Sequence, residues 1–131
     1  LIDQIRYFAV ACGVKFVFFE PIQDVLVGSS DESKEQMLAD LSVRLSKLSA
    51  ELNVGIVTIA HTNDDGQMKY CRMIGQRASV IIDLKRDKDS TDLQERNTTY
   101  LSIEKNRPCS EEGNAGMMRF NTDTFTLTEV I

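Results

Sequence analysis

Five leucines, Leu38, Leu41, Leu45, Leu48 and Leu52, step through this sequence by three, four, three and four residues. That spacing returns to one side of an α-helix at every turn, so the segment predicts a helix with a single apolar stripe. Ser30 or Asp31 can cap its start, acidic residues occupy its first turn, and Asn53 ends it. The stripe covers too few heptads to demand a coiled coil, which leaves a sheet as its expected partner. A short apolar run stands on either side: Phe16 to Phe19 before the helix, Val54 to Ala60 after it. Predominantly apolar runs of this length suit strands buried on both faces, as in a parallel sheet. Strand, helix and strand then make a βαβ unit with a right-handed crossover.

Around this unit the chain reads as follows. Ile2, Ile5, Phe8 and Ala9 recur at helical spacing, and Gly13 supplies a stop. His61 to Gly66 is a polar loop with a turn at Asp64, Asp65 and Gly66. Lys69 to Ala78 is a candidate short helix, Val80 to Leu84 a third strand, and Arg86 to Arg96 a charged, flexible loop. Three strands close the chain, Thr99 to Lys105, Gly116 to Asn121 and Phe125 to Val130, with a hairpin turn from Asn121 to Thr124. The expected fold class is α/β: the C-terminal portion of a sheet flanked by helices, with an antiparallel extension. With 131 residues and neither repeats nor a clear linker, the chain is one domain or a piece of one. It begins with Leu1 rather than Met, and the expectation is a chain cut from something longer.

Charge and cysteine usage narrow the function classes. A net charge of −5 argues against a histone-like binder that coats nucleic acid with its whole surface. It leaves open DNA held by a few local cations. Cys12, Cys71 and Cys109 form no C-x-x-C pair, which removes zinc and thioredoxin-like readings and fits a reducing cytosol. His61 is the sole histidine, so a histidine-rich metal site is excluded. No apolar run approaches the roughly 20 residues that span a bilayer, and no secretory signal opens the chain. A cytoplasmic protein without membrane partners is expected.

Polar residues stand where strands end, which is where α/β sheets gather their chemistry. Glu20 follows the first apolar run, and His61 follows the second. Lys105 and Arg107 follow Leu101 and Ile103 at two-residue spacing, so the four are expected on one face, two apolar and then two cationic. Each position has two readings. Glu20 is a solvated strand end or the carboxylate of a Walker B strand, near a nucleotide-bound Mg2+. His61 is a histidine satisfied by backbone or a sensor of the γ-phosphate. Lys105 and Arg107 are charges that protect an edge strand or a clamp for an anion. Lys69, Tyr70 and Arg72 are a solvated helix start or a cation-aromatic-cation run suited to single-stranded DNA.

Four segments together resemble the RecA-like hexameric helicases of superfamily four: phage primase-helicases and the mitochondrial Twinkle helicase, with DnaB more distant. Val14 to Ile22 looks like the Walker B strand, and Leu48 to His61 like the helix-strand unit that ends in the family's phosphate-sensing histidine. Gly75 to Arg86 is similar to the segment after the second DNA-binding loop. Leu101 to Pro108, followed by Gly113 and Gly116, looks like the arginine-finger strand and hairpin. The resemblance covers nearly the whole chain. It implies a partial RecA-like P-loop NTPase core, a parallel sheet flanked by helices with a C-terminal antiparallel hairpin, as the later part of a helicase ATPase domain.

By the same resemblance Glu20 is the metal-associated carboxylate, His61 the sensor, and Gln76 a glutamine near the neighbouring active site. Arg107 is the finger inserted into the next subunit's nucleotide, with Lys105 beside it, and Lys69 and Arg72 contact DNA. The implied substrates and cofactors are ATP or dTTP with Mg2+. The implied partners are single-stranded DNA, further copies in a hexameric ring, a primase and a DNA polymerase; for a phage protein the place is the host cytoplasm. The Walker B acid is Glu where Asp is commoner, and Cys71 to Gly75 replaces the usual Gly-Ser-Gly. No G-x-x-x-x-G-K-[ST] motif exists in the sequence, so the phosphate cradle is expected upstream of Leu1 and the chain alone is expected to be inactive. Two other readings share the sequence features: a recombination ATPase of the RecA or RadA kind, and a non-catalytic α/β assembly module.

Overall fold

Gly13 ends the first helix. In the computed structural model of the chain, which describes residues 1–26, 31–62 and 72–130, α1 (Ile2–Cys12) stops where Gly13 takes φ 68° and ψ 21°. The N–H groups of Gly13 and Val14 both return to the Phe8 carbonyl. A residue with a Cβ pays a steric cost in that left-handed conformation, so the glycine stop lies where the sequence puts it. The chain divides into two units, Leu1–Ala78 and Ser79–Ile131.

In the first unit α1 is followed by β1 (Phe16–Phe19), a short 3-10 turn (Ile22–Leu26), α2 (Asp31–Leu52), β2 (Gly55–Thr58) and α3 (Arg72–Arg77). Strands β1 and β2 pair in parallel, with Phe16 opposite Gly55 and Phe19 opposite Thr58. Helix α2 is therefore the crossover of the expected βαβ unit. Ser49 closes the turn between α2 and β2. Its carbonyl accepts the Val54 N–H at 3.1 Å, and its hydroxyl donates to the Val54 carbonyl at 2.8 Å. Asn53 lies between them at φ 51°, a region that Asn tolerates better than most residues. The expected caps at Ser30 and Asp31 lie outside the described residues and side chains.

The leucine stripe is buried as its spacing predicts. Leu38, Leu41, Leu45 and Leu48 join Ile5, Ile22 and Ile74 in one core, and Val17, Phe19 and Ile56 reach that core from the sheet. Their strand neighbours do not: Phe16 is 66% exposed, Phe18 73% and Val57 46%. The expectation of strands buried on both faces is thus corrected for this chain. The described helices bring apolar side chains to one face, so burial alternates along β1 and from Ile56 to Thr58 in β2. Beside the stripe, the buried Ser42 hydroxyl donates to the Ala39 carbonyl at 2.7 Å.

The second unit contains β3 (Val80–Lys85), α4 (Leu93–Arg96), β4 (Thr98–Asn106), β5 (Gly113–Asn121) and β6 (Thr126–Glu129). Its four strands form an antiparallel sheet in the order β3-β4-β5-β6. The antiparallel part is therefore larger than a hairpin, because β3 also belongs to it: Ile82 opposes Ile103 and Leu84 opposes Leu101. A chain that turns back can pair directly with the strand it has just left, without the long crossover that parallel pairing requires.

Residues 86–97 form a built connection rather than the flexible loop expected from their charge. The Arg86 Nε donates to the Arg96 carbonyl at 2.6 Å, and Asp87 and Ser90 each accept the N–H two residues on. Asp92 caps α4 by accepting the Gln94 N–H at 2.9 Å. Asp92 with Glu95 three residues later is a helix-start pattern that the sequence carried all along. The buried Thr98 hydroxyl donates to the Gln94 carbonyl at 2.7 Å and accepts from the Arg119 Nε at 3.2 Å.

Two bulges shape β4 and β5. Leu101 opposes Gly116 while Ser102 opposes Asn114, which leaves Ala115 as the extra residue. Gly116 takes φ 105° there, and its N–H donates to the Asn114 Oδ1 at 2.8 Å. The expected turn after β5 is present: the Asn121 Oδ1 accepts the N–H groups of Asp123 and Thr124. Among the described residues no helix is long and apolar enough to cross a membrane.

Candidate functional site

Parallel pairing puts the carboxyl ends of β1 and β2 at one edge of the sheet. Glu20 follows β1 directly, and His61 lies three residues beyond the end of β2. Past the strands the two segments stay joined, since the Ile22 N–H donates to the Ile59 carbonyl at 3.0 Å. Glu20 and His61 are both exposed at that edge. The fold therefore brings together an exposed carboxylate and an exposed imidazole that lie 41 residues apart in the sequence. Among the described residues no three His, Cys, Asp or Glu side chains cluster to cage a metal. Mg2+ with a bound nucleotide needs only one or two carboxylates, because phosphates and waters fill the remaining positions. Glu20 fits that demand.

Gln76 is exposed on α3, two residues after Ile74, which fixes the helix in the core. Arg72 opens α3, but its side chain is outside the described set. Lys69 and the turn at Asp64 to Gly66 lie outside the described residues.

Lys105 lies near the end of β4 and Arg107 directly follows the strand, with one correction to their expected alignment. Ile82 opposes Ile103, but Ile81 opposes Lys105, so Glu104 is an extra residue in β4. Directly opposed residues share a sheet face, and consecutive Ile81 and Ile82 point to opposite faces. Lys105 therefore lies on the face opposite Leu101 and Ile103, and the bulge is what turns it there. The two cations still sense one another. Partial burial, and next the positive charge of Arg107, hold the Lys105 ammonium below the ordinary lysine range, while Glu112 pulls the other way.

Sequence reasoning missed Asn106, the residue between the cations. Its carbonyl accepts the Ser110 N–H at 2.7 Å, and its side-chain amide donates to the Glu111 carbonyl at 3.2 Å. Its own N–H points at the Glu112 carboxylate at a long 3.4 Å. The Arg107 N–H is tied to the Ser79 carbonyl at 3.0 Å. The available signal was an Asn placed before Arg-Pro, a setting in which Asn often organises a turn. Glu20, His61 and Gln76 belong to the first unit, Lys105 and Arg107 to the second.

No protein-family model and no curated protein matches this sequence. Solved structures do match. The chain is similar to a DnaB-like replicative helicase described with its interactions with primase, at a TM-score of 0.75 and 16% identity over 99% of this chain and 35% of that one. It is also similar to a KaiC-like protein from the hyperthermophilic archaeon Pyrococcus horikoshii, at a TM-score of 0.70 and 14% identity, covering 99% of this chain and 55% of that one. The likeness is one of fold, the RecA-like α/β fold with a parallel and an antiparallel sheet. The chain spans about a third and about half of the lengths of these two neighbours.

Proposed function

We propose that this chain is the C-terminal half of the motor domain of a ring-shaped replicative DNA helicase. Such a motor couples hydrolysis of ATP or dTTP at subunit interfaces to movement on single-stranded DNA and duplex unwinding. The observation that carries the reading is the pair of cations, Lys105 and Arg107, presented at the end of β4 by a hydrogen-bonded loop. The fold likeness to a DnaB-like helicase supports it.

In this reading Glu20 would hold Mg2+, and His61 would answer to the γ-phosphate at the same sheet edge. Bound Mg2+ would supply positive charge against the β- and γ-phosphates. Gln76 stands near the neighbouring site. Arg107 reaches the nucleotide of the next subunit in a hexamer and stabilises charge on the transferring phosphoryl group, with Lys105 beside it. Lys69 and Arg72 contact the DNA backbone. Primase is the first partner to test, because the DnaB-like neighbour is described with one; a DNA polymerase is the second.

Arg107→Ala in the complete protein is expected to abolish DNA-stimulated hydrolysis and leave nucleotide binding largely intact. An arginine of this kind contributes ~10³- to 10⁵-fold in rate. Lys is a poor replacement, because a point charge cannot reproduce the planar fork. Mixing Arg107→Ala subunits with subunits that lack a working P-loop should restore hydrolysis at interfaces pairing an intact P-loop with an intact finger. Mixed rings that form but stay inactive would remove the role in trans.

A further inference from the structure

We infer that Asn106 is a positioning residue for Arg107: it fastens the loop that follows β4 and so fixes the direction in which the guanidinium leaves the sheet. This rests on the finger reading of Arg107. Three polar groups of this half-buried residue, its N–H, carbonyl and side-chain amide, turn toward residues 110–112. The loop between them is not a relaxed one. Ser110 holds φ 58°, a conformation few residues with a Cβ adopt, and Pro108 has no N–H to give. A side chain that donates at this point must be short and must carry N–H groups. Asn meets both needs, whereas Asp of the same size accepts only and would face the Glu111 carbonyl with a charge. The Arg107 N–H is tied to the Ser79 carbonyl, on the β3 side. Asn106 supplies the other side of the mount, on the β5 side, through Glu111.

A finger acts only where its charge meets the transition state, and a misplacement of about 1 Å can cost ~10²-fold in rate. Asn106→Ala and the isosteric Asn106→Asp, made in the complete protein, should each lower the DNA-stimulated kcat by ~10- to 100-fold with KM for the nucleotide unchanged. Asn106→Asp serves where Asn106→Ala fails to fold. In an Arg107→Ala background the same change should have no further effect on the residual, unstimulated kcat, since the residue acts through Arg107. A merely structural role would lower kcat in both backgrounds. Equal losses in the two backgrounds, or a kcat within about twofold of wild type when Arg107→Ala is inactive, would overturn the Asn106 assignment and leave the finger reading standing. Normal hydrolysis by Arg107→Ala would remove both.

Discussion

The Phe16 ring lies across Gly55, its cross-strand partner in the parallel pair, so closely that a Cβ on Gly55 would stand 2.5 Å from the ring's Cδ1. Gly55 has ordinary strand geometry, and replacing a glycine by alanine at such a site otherwise stabilises by about 0.4–1 kcal/mol. The ring reverses that sign. Gly55→Ala should lower the thermal midpoint, because Phe16 must swing off the strand and lose its cover. In a Phe16→Ala background the same change should raise the midpoint. A Gly55→Ala effect of one sign in both backgrounds would mean that the ring does not govern this position.

Leu38 is 1% exposed and is the first leucine of the stripe, whereas Lys47 lies exposed on the opposite side of the same helix. Leu38→Ala should cost about 2–5 kcal/mol of stability. Lys47→Ala should stay within about 0.5 kcal/mol. Urea unfolding of the two variants measures the difference. Similar losses at both positions would mean that the leucine periodicity does not define the buried face.

The parts of this fold that were legible in the sequence are those set by local period and local stereochemistry. The three-four spacing placed the core of α2, Gly13 placed the end of α1, and Asn121 placed the last turn. The pairing of β3 was not legible. An apolar strand of six residues suits either a parallel or an antiparallel neighbour, and only the chain's return path decides. The side of the sheet that Lys105 takes was hidden for a related reason. A one-residue bulge at Glu104 reverses every facing after it, and no residue type in that stretch announces it. The strand-end positions of Glu20 and His61 could be read from the sequence, but that they share an edge follows only from the register of β1 with β2.

Lys69 and Arg72 flank Tyr70 in a run that we propose contacts single-stranded DNA. Two phosphate contacts contribute about 1.4 to the slope of log affinity against log salt for a single strand. Lys69→Ala with Arg72→Ala in the complete protein should therefore weaken binding and flatten the salt dependence by about that amount. Tyr70→Ala should weaken binding with the slope preserved, since base stacking releases no counterions. An unchanged affinity across a salt series for the double variant would take this loop out of the DNA site.

Lys105 provides the pH signature of the hairpin. Its folded pKa lies below the ordinary value of 10.5, first through partial burial and then through Arg107. In the window between the folded and the unfolded pKa, the unfolded chain binds the proton and the folded chain does not. Stability therefore rises with pH across that window, and the penalty of the charge is fully present below it. Two substitutions separate the causes. Arg107→Gln should move the Lys105 titration up by removing the like charge, and Glu112→Gln should move it further down by removing the opposing one. Titration of the lysine Nζ by NMR reads both directions. A Lys105 titration that ignores both changes would show that the two cations do not form a common positive site, and the anion-clamp reading of this hairpin would go with it.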